Sequence, residues 1–253
     1  HYVHQVVDEL KWQGENPDQM AGKKTGFEQL DETINGFEEG KVYVVGGRPG
    51  MGKTQFALNL GLRISRNDDT LIFSLEMTGK GLAKRALSNV ACMDGRKING
   101  AVLEGDEWTE ILQAATIIKD QNKIFIDETP NLSTAQISHE LQAMSKEFKA
   151  PLIELVQLNR GVEERPDKRP VLRDIKETSA IEEDARVIMF PYRDDYYNPD
   201  APKTNITELI IAKNSDGETK SIYFDDDMAR ATYTPKEGYS KPEKKQKNKG
   251  GRL

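Results

Sequence analysis

The segment that begins at Gly47 contains the residue types that bind the phosphates of a nucleotide. Residues 47–54 read GRPGMGKT, the full GxxxxGK[ST] pattern, directly after the apolar stretch 42–45. Glycines let backbone N–H groups approach the phosphates, Lys53 can reach the β- and γ-phosphates, and the Thr54 hydroxyl can ligate magnesium. The sequence therefore predicts a site for ATP and Mg²⁺. Its candidate residues are Gly47, Arg48, Pro49, Gly50, Met51, Gly52, Lys53, Thr54 and Gln55.

Two acidic residues follow apolar stretches that are typical of strands. Glu76 comes after residues 71–75, and Asp127 comes after residues 124–126. Hydrolysis of a nucleotide needs a group that positions water and a group that orients magnesium. A carboxylate at a strand end is more often a solvated cap, but the phosphate loop in the same chain favours a functional role for both residues. Glu76 is expected beside the γ-phosphate and Asp127 at the metal.

Charge and composition exclude several classes of protein. The 253 residues have 36 Lys and Arg against 42 Asp and Glu, so any nucleic-acid binding must be local, at residues 160–176 or in the tail from Lys236. The single cysteine, Cys92, excludes an internal disulfide and favours a cytoplasmic setting. No apolar run approaches the ~20 residues of a membrane span, so no membrane partner is expected.

Strand and helix patterns alternate from Lys41 onward, which predicts an α/β fold with a mainly parallel, doubly wound sheet. The predicted strands are 41–45, 71–74, 123–126 and 152–158, with helices after 53 and around 82–92, 108–115 and 137–148. Beyond Ser179, the runs 187–192, 206–212 and 221–224 predict antiparallel edge strands. Pro191 argues against a regular central strand at 187–192, because proline has no N–H to donate.

The chain divides into three parts by composition. Residues 1–20 are predicted to be a short amphipathic helix and a tether, since Val3, Val6, Val7 and Leu10 share one helical stripe. This helix either folds back on its own domain or docks into a neighbouring subunit. Residues 21–234 are the predicted ATPase domain. Residues 235–253 are a basic tail that we expect to be disordered.

Six motifs occur in the order seen in DnaB-type replicative helicases. They are Thr25-Gly26-Phe27 with Leu30-Asp31, the GRPGMGKT run, residues 73–77, residues 157–160, residues 168–170 and residues 181–185. Over about residues 20–225 the chain resembles the motor domain of that family, and a phage-encoded member is one interpretation. The resemblance implies a RecA-like P-loop NTPase fold and a hexameric ring around single-stranded DNA, with ATP between neighbouring subunits. The family's collar domain is not seen, so a motor-domain fragment is expected.

The resemblance also implies roles for single residues. Glu76 resembles the catalytic glutamate that polarises water, and Gln157 resembles the γ-phosphate sensor that couples hydrolysis to DNA contact; both join Lys53 as catalytic candidates. The segment that contains Lys176, Glu177 and Ser179 resembles the loop that grips the DNA backbone. Lys213 resembles a lysine that reaches the neighbour's nucleotide.

The sequence departs from the family pattern in three places. The family has a further strand ending in a magnesium-binding aspartate before the strand at Leu152, but only one helix fits between Pro130 and Pro151. Either a segment is missing near Glu140 or Asp127 has taken the role. We favour the missing segment because residues 141–158 resemble the family's next helix and strand and the preceding residues resemble the earlier helix; without it the sheet would expose a long edge. Ser215 stands where the family's trans arginine is expected. Val156 replaces a polar residue, and this change has no interpretation.

These observations predict an ATP hydrolase that works as a 5′-to-3′ replicative DNA helicase. A helicase loader and a primase are the partners that the resemblance implies. An alternative is a weakly hydrolytic, ring-forming DNA scaffold or loader-like switch, because a magnesium aspartate and a trans arginine are not seen. A RecA-type recombinase or a nucleotide kinase is a weaker alternative, since no acceptor pocket or lid is found for a kinase.

Overall fold

A computed structural model of the chain describes residues 2–15, 20, 22–74, 77–127, 143–175, 178–197 and 203–239. The α-helices are α1 (Tyr2–Glu15), α2 (Glu28–Ile34), α3 (Lys53–Ile64), α4 (Gly79–Val90), α5 (Gly95–Gly100), α6 (Glu107–Gln121), α7 (143–148), α8 (Thr178–Asp184) and α9 (Asp194–Tyr197). The strands are β1 (Val42–Gly47), β2 (Thr70–Phe73), β3 (Ile124–Asp127), β4 (Leu152–Gln157), β5 (Ala185–Tyr192), β6 (Ile206–Asn214), β7 (Ser221–Asp227) and β8 (Thr232–Pro235). Two short 3₁₀ helices occupy Arg160–Glu164 and Leu172–Asp174.

The described strands form two sheets. Six strands lie in the order β4-β1-β5-β6-β7-β8, in which β4, β1 and β5 are parallel and the strands from β5 to β8 are antiparallel. Strands β2 and β3 form a separate parallel pair. This arrangement confirms the predicted parallel core with antiparallel strands added at one edge. The run 187–192, predicted to be one of the antiparallel edge strands, instead forms β5, which lies inside the sheet and is parallel to β1.

Strand β1 lies at the centre of the parallel part of the six-stranded sheet and is buried along its whole length. Apolar residues on both sides of a strand are typical of parallel strands that are covered on both faces. One face packs against α3 through an aromatic cluster in which the Phe27 and Phe224 rings lie 5.0 Å apart and the Phe56 and Phe224 rings 5.9 Å apart. Leu158, Ile175 and Ile188 pack on the other face.

Pro191 lies within β5, so the prediction that it excludes a central strand is wrong. Strand β5 runs between β1 and β6, and its pairing with β1 ends at Met189. Pro191 pairs only with Leu209 of β6. The proline is tolerated because it lies where β5 has already lost one of its two neighbours.

The first sequence motif has a structural role. The buried carboxylate of Asp31 accepts hydrogen bonds from the N–H groups of Thr25 (2.6 Å) and Gly26 (3.1 Å). Gly26 has a φ of +79°, which glycine adopts at no steric cost. The guanidinium of Arg63, on α3, lies 4.1 Å from the centre of the Phe27 ring. This motif therefore fixes the chain that enters α2 against α3.

The pair β2–β3 leaves one apolar face uncovered. Ile72 and Ile124 pack against α3 and α4, whereas Leu71, Phe73 and Phe125, on the opposite face, are 54%, 47% and 59% exposed. Strand β4 shows a similar pattern at the edge of the large sheet. Leu155 is 40% exposed, although Val45, its partner in β1, is fully buried. Because α3 contacts β1, β4 and β2, it lies against both sheets.

The structure adds α2, α5, α8, α9 and β8 to the predicted elements. Residues 236–239, which the sequence assigns to the tail, contact β7: the rings of Tyr223 and Tyr239 lie 5.0 Å apart. In α1, Val3, Val6 and Val7 are exposed, so this helix does not bury them on its own domain. No helix of the described part of the chain is long and apolar enough to cross a membrane. The predicted helix start at Ile137, Glu140 and the tail beyond residue 239 lie outside the described residues.

Candidate functional site

The phosphate loop, residues 47–54, connects the end of β1 to the start of α3. The residue before the helix is Gly52, with φ +87°, so no side chain caps the first turn of α3. The first N–H groups of a helix have no acceptor within the helix, and the helix dipole adds positive potential there. The loop itself turns through a bond from the Met51 N–H to the Arg48 carbonyl (3.2 Å). This end of α3 is therefore built to receive an anion such as a phosphate.

Gly47 gives Lys53 the space to fold back across the loop. A Cβ atom added at Gly47 would lie 2.8 Å from Cγ and 3.2 Å from Cδ of Lys53. Any side chain at position 47 would therefore displace the lysine stem. This contact explains why the pattern in the sequence has a glycine at position 47 and a lysine at position 53.

Two tyrosines from the antiparallel part of the fold support the loop from outside. A Cβ atom on Gly50 would lie 2.6 Å from Cε2 of Tyr196, and one on Gly52 would overlap the Tyr233 hydroxyl. Burial, the largest cause, raises the pKa of Tyr233, so its hydroxyl stays protonated at neutral pH. No pattern in the sequence pointed to Tyr233.

Gln157 lies directly beside the phosphate loop. Strands β1 and β4 pair in parallel with Gly47 opposite Gln157, and the Leu158 N–H lies 3.4 Å from the Gly47 carbonyl oxygen. Gln157 is exposed at the carboxyl end of its strand. The structure thus brings Gln157 and the first glycine of the loop together.

Arg48 ties the phosphate loop to the segment after Gln157. Its Nε donates to Glu163 Oε1 (2.8 Å) and its Nη1 donates to the Leu158 carbonyl (3.0 Å). Only 9% of Arg48 is exposed. Arg48 is therefore a structural link between two parts of the site rather than a free phosphate ligand.

A buried charged group lies behind Tyr233. Arg193 lies between two carboxylates, with 3.6 Å from Nη2 to Asp195 Oδ1 and 3.5 Å from Nε to Asp226 Oδ2. Burial raises the pKa of Asp226, and this effect outweighs the hydrogen bond from Thr207 and the charge of Arg193, which both lower it. The charge of Asp226 in turn helps to raise the pKa of Tyr233. Asp226 also lies opposite Tyr233 in the pairing of β7 with β8, so this polar group adjoins the residue that contacts Gly52.

The candidate metal ligands are less well placed. Thr54 lies in the first turn of α3, and Asp127 ends β3 in the separate two-stranded sheet, where its carbonyl accepts from the Ser74 N–H (2.9 Å). Among the residues that the structure describes, no group of three or more His, Cys, Asp or Glu side chains is arranged to hold a metal ion. The assignment of Asp127 to magnesium stays a prediction.

Several other candidates lie apart from the loop or outside the described residues. The Lys213 ammonium donates to the backbone carbonyls of Glu182 and Ala185, and the Ser215 hydroxyl donates to the Arg186 carbonyl (3.0 Å). The Lys213 ammonium thus forms hydrogen bonds within its own chain. Ser179 belongs to α8, but its side chain is not among those described. Glu76, Lys176 and Glu177 lie outside the described residues.

Comparison with known proteins identifies the family. Residues 22–138 and 133–232 match the family described as the DnaB-like helicase C-terminal domain. The chain belongs to this family. The DnaB-like fold is also seen in solved structures: the structure called "ATPase Domain of G40P" has a TM-score of 0.85 at 29% identity, covering 93% of this chain and 99% of that one. These matches confirm the resemblance and the fold class inferred from the motifs.

Curated DnaB-like relatives are about twice as long as the matched region. The replicative DNA helicase DnaB of Geobacillus stearothermophilus is 31% identical over 86% of this chain and 57% of its own length, and that of Haemophilus influenzae is 33% identical over 80% and 53%. The chain thus spans a little over half the length of these relatives. A solved structure of a DnaB-like replicative helicase, described with its interactions with primase, has a TM-score of 0.82 at 29% identity, covering 91% of this chain and 66% of that one.

The alignments also show that this chain is shorter within the matched region. The alignment with the Geobacillus stearothermophilus protein covers 86% of this chain, about 218 residues, but extends over 261 positions. Within the alignment, that relative therefore has about 43 residues that have no counterpart in this chain. The two blocks that match the family overlap at residues 133–138, which places the break between β3 and β4.

Proposed function

We propose that this chain is the ATP-dependent motor domain of a replicative DNA helicase. The observation that carries the proposal is the pairing of Gly47 with Gln157, which sets an exposed glutamine beside the phosphate loop in a DnaB-like fold. An amide side chain at this position can contact a bound γ-phosphate and lose that contact after hydrolysis. Such a change is what a motor needs to report its nucleotide state.

The phosphate loop residues would bind ATP in a defined way. The first N–H groups of α3 and the Lys53 ammonium would receive the phosphates, while Gly50 and Gly52, both with positive φ, keep side chains out of the loop. Glu76 would polarise the attacking water. The Thr54 hydroxyl fits a Mg²⁺ ion, which would neutralise phosphate charge and which usually takes most of its remaining ligands from phosphate and water.

The DNA contacts and the assembly belong to the same proposal. Lys176, Glu177 and Ser179 would grip the backbone of single-stranded DNA, where contacts to phosphate carry no base identity and permit stepping along any sequence. The active form would be a hexameric ring that travels 5′ to 3′. A loader and a primase are the proposed partners, and the similar DnaB-like helicase that was solved with its primase interactions supports the second of these.

A weakly hydrolytic scaffold or loader-like switch is the second candidate. It is favoured by the residues that relatives have and this chain lacks between β3 and β4. The bonds of Lys213 within its own chain and the serine at position 215 favour it as well.

Turnover of ATP with and without single-stranded DNA separates the two candidates. The motor predicts turnover that rises with DNA and is lost in Lys53→Ala and in Glu76→Gln. Lys119→Ala, on the exposed face of α6, is the matched control and should behave as the wild type. Nucleotide-dependent DNA binding without DNA-stimulated turnover, and with no effect of Glu76→Gln, would support the switch and reject the motor.

A further inference from the structure

Tyr196 lies over the middle of the phosphate loop with its ring partly open to solvent. A Cβ atom at Gly50 would lie 2.6 Å from Cε2 and 2.8 Å from Cζ of Tyr196, so one edge of the ring rests on the loop backbone. Tyr196 is nevertheless 49% exposed. A ring that is fixed beside a phosphate site and still exposed is available to a part of a nucleotide other than its phosphates.

Neighbouring aromatic rings hold Tyr196 in this position. Its ring meets that of Tyr197 edge to face, with centres 5.5 Å apart and planes at 88°, which is a favoured arrangement of two aromatic rings. Tyr197 stacks on Tyr192, the last residue of β5, with centres 6.1 Å apart. The Lys168 ammonium lies 5.1 Å from the centre of the Tyr197 ring. The position of Tyr196 is therefore tied to a strand of the central sheet, and a ligand that contacts it has little ordering to impose.

The order of the strands gives a bound nucleotide its direction. Strands β4 and β5 are the two neighbours of β1, and all three are parallel, so their carboxyl ends lie at one edge of the sheet. Gln157 ends β4, on one side of the phosphate loop, and Tyr196 follows β5, on the other side. A triphosphate whose γ-phosphate lies at Gln157 therefore extends toward β5. Its base, at the far end of the molecule, comes to the side on which Tyr196 is exposed.

We propose that Tyr196 is the platform on which the base of the bound nucleotide stacks, and that the site takes purine nucleoside triphosphates in preference to pyrimidine ones. The proposal rests on the proposed function, because it takes the γ-phosphate to lie at Gln157. Every base has a π face that can stack on an aromatic ring, and a purine covers more of that ring than a pyrimidine does. Stacking does not read the groups at the edge of a base, so ATP and GTP should bind alike.

A probe without a base separates stacking from support of the loop. Inorganic tripolyphosphate with Mg²⁺ presents phosphate groups alone, and calorimetric titration of the full chain gives its affinity and that of ATP. Tyr196→Ala should weaken ATP binding by roughly 5-fold to 150-fold, the range for loss of one aromatic platform under a base. It should leave the affinity for tripolyphosphate within about twofold. Tyr196→Phe keeps the ring and should keep both wild-type affinities.

Tyr196→Trp provides a signal that support of the loop alone would not produce. A guanine base stacked on the new indole should quench its fluorescence, whereas tripolyphosphate should not. The wild-type chain, with Trp12 and Trp108, gives the background. The wild-type chain should also bind ATP and GTP more tightly than CTP and UTP, and Tyr196→Ala should remove this difference.

Phe148→Ala is the matched control, because Phe148 is an aromatic residue that is 67% exposed and lies just before the start of β4, at the opposite edge of the sheet. It should keep the wild-type affinity for ATP. Equal losses of ATP and tripolyphosphate binding in Tyr196→Ala would overturn the platform and leave Tyr196 as a support of the loop.

Two further outcomes have distinct meanings. Weaker binding of oligo-dT by Tyr196→Ala, with unchanged affinity for ATP, would assign the ring to DNA and would also overturn the platform. Failure of the wild-type chain to bind either ATP or tripolyphosphate would instead overturn the proposed function, and the platform with it.

Discussion

The hydroxyl of Tyr233 contacts the phosphate loop at Gly52, with its oxygen 3.4 Å from the Gly52 carbonyl oxygen. The same carbonyl accepts the first hydrogen bond of α3, from the Phe56 N–H (2.8 Å). The rings of Phe56 and Tyr233 also meet edge to face, with their centres 5.6 Å apart. The start of α3 is therefore positioned by a strand near the other end of the described chain.

Replacement of Gly52 by alanine should abolish nucleotide binding and destabilise the fold. A left-handed backbone conformation costs a residue with a Cβ about 1–2 kcal/mol, and this Cβ would also collide with Tyr233. Gly61→Ala, in the same helix, is the control. Its Cβ would lie 3.7 Å or more from its neighbours, so it should raise the free energy of unfolding by about 0.5–1 kcal/mol. Urea unfolding measures the stability of each variant, and titration with a fluorescent ATP analogue measures its nucleotide binding. Equal stability and binding in the two variants would contradict the predicted role of Gly52.

Leu71 and Ile72 are adjacent in β2, but substitution by threonine should lower the free energy of unfolding far more at Ile72 than at Leu71. Leu71 is exposed, so Leu71→Thr should change the free energy of unfolding by no more than about 0.5 kcal/mol and lower the binding of the dye ANS. Ile72 packs against α3 and α4, so Ile72→Thr should cost about 1–3 kcal/mol. A large loss of stability in Leu71→Thr would show that the apolar face is covered in solution.

Asp226→Asn should flatten the dependence of stability on pH. Burial raises the native pKa of Asp226 above 3.8, so its contribution to stability is complete below that pH and is lost as pH rises through the native pKa. Asparagine cannot ionise and still accepts from Thr207. The free energy of unfolding of the variant minus that of the wild type should therefore increase as pH rises from about 4, and urea unfolding measures this difference. Asp120→Asn, on exposed α6, should keep the wild-type slope.

An insertion tests whether the segment that relatives carry completes the sheet. The additional residues of the Geobacillus stearothermophilus protein are inserted after residue 138, where the first matched block ends. We expect slower amide hydrogen exchange in β4 and less ANS binding, because a strand beside β4 would cover Leu155. A Gly/Ser insertion of equal length is the control, and the same protection in both chains would reject the idea.

The sequence predicted the elements whose signals are local. The phosphate loop is one contiguous pattern, and Gln157 follows an apolar strand, so parallel pairing alone brings them to one edge of the sheet. The prediction drawn from Pro191 was wrong because a sequence does not show which strands pair with each other. Whether a strand has one or two neighbours at a given residue depends on where the adjacent strand ends.

Contacts over long distances could not be predicted. Arg48 and Glu163 are 115 residues apart, and Gly52 and Tyr233 are 181 apart, so no spacing rule connects them. Arg48 could be read only as a variable position inside the phosphate pattern. The structure shows that it holds two elements together, a role that depends on the surrounding fold.

The bond from Tyr233 to Gly52 also bears on synthesis of the chain. Residue 52 leaves the ribosome 181 residues before its tyrosine. At about 5–20 residues per second, this delay is roughly 10–40 s. During this interval the nascent chain carries the phosphate loop without its contact to Tyr233, and that contact can form only after β8 has been made.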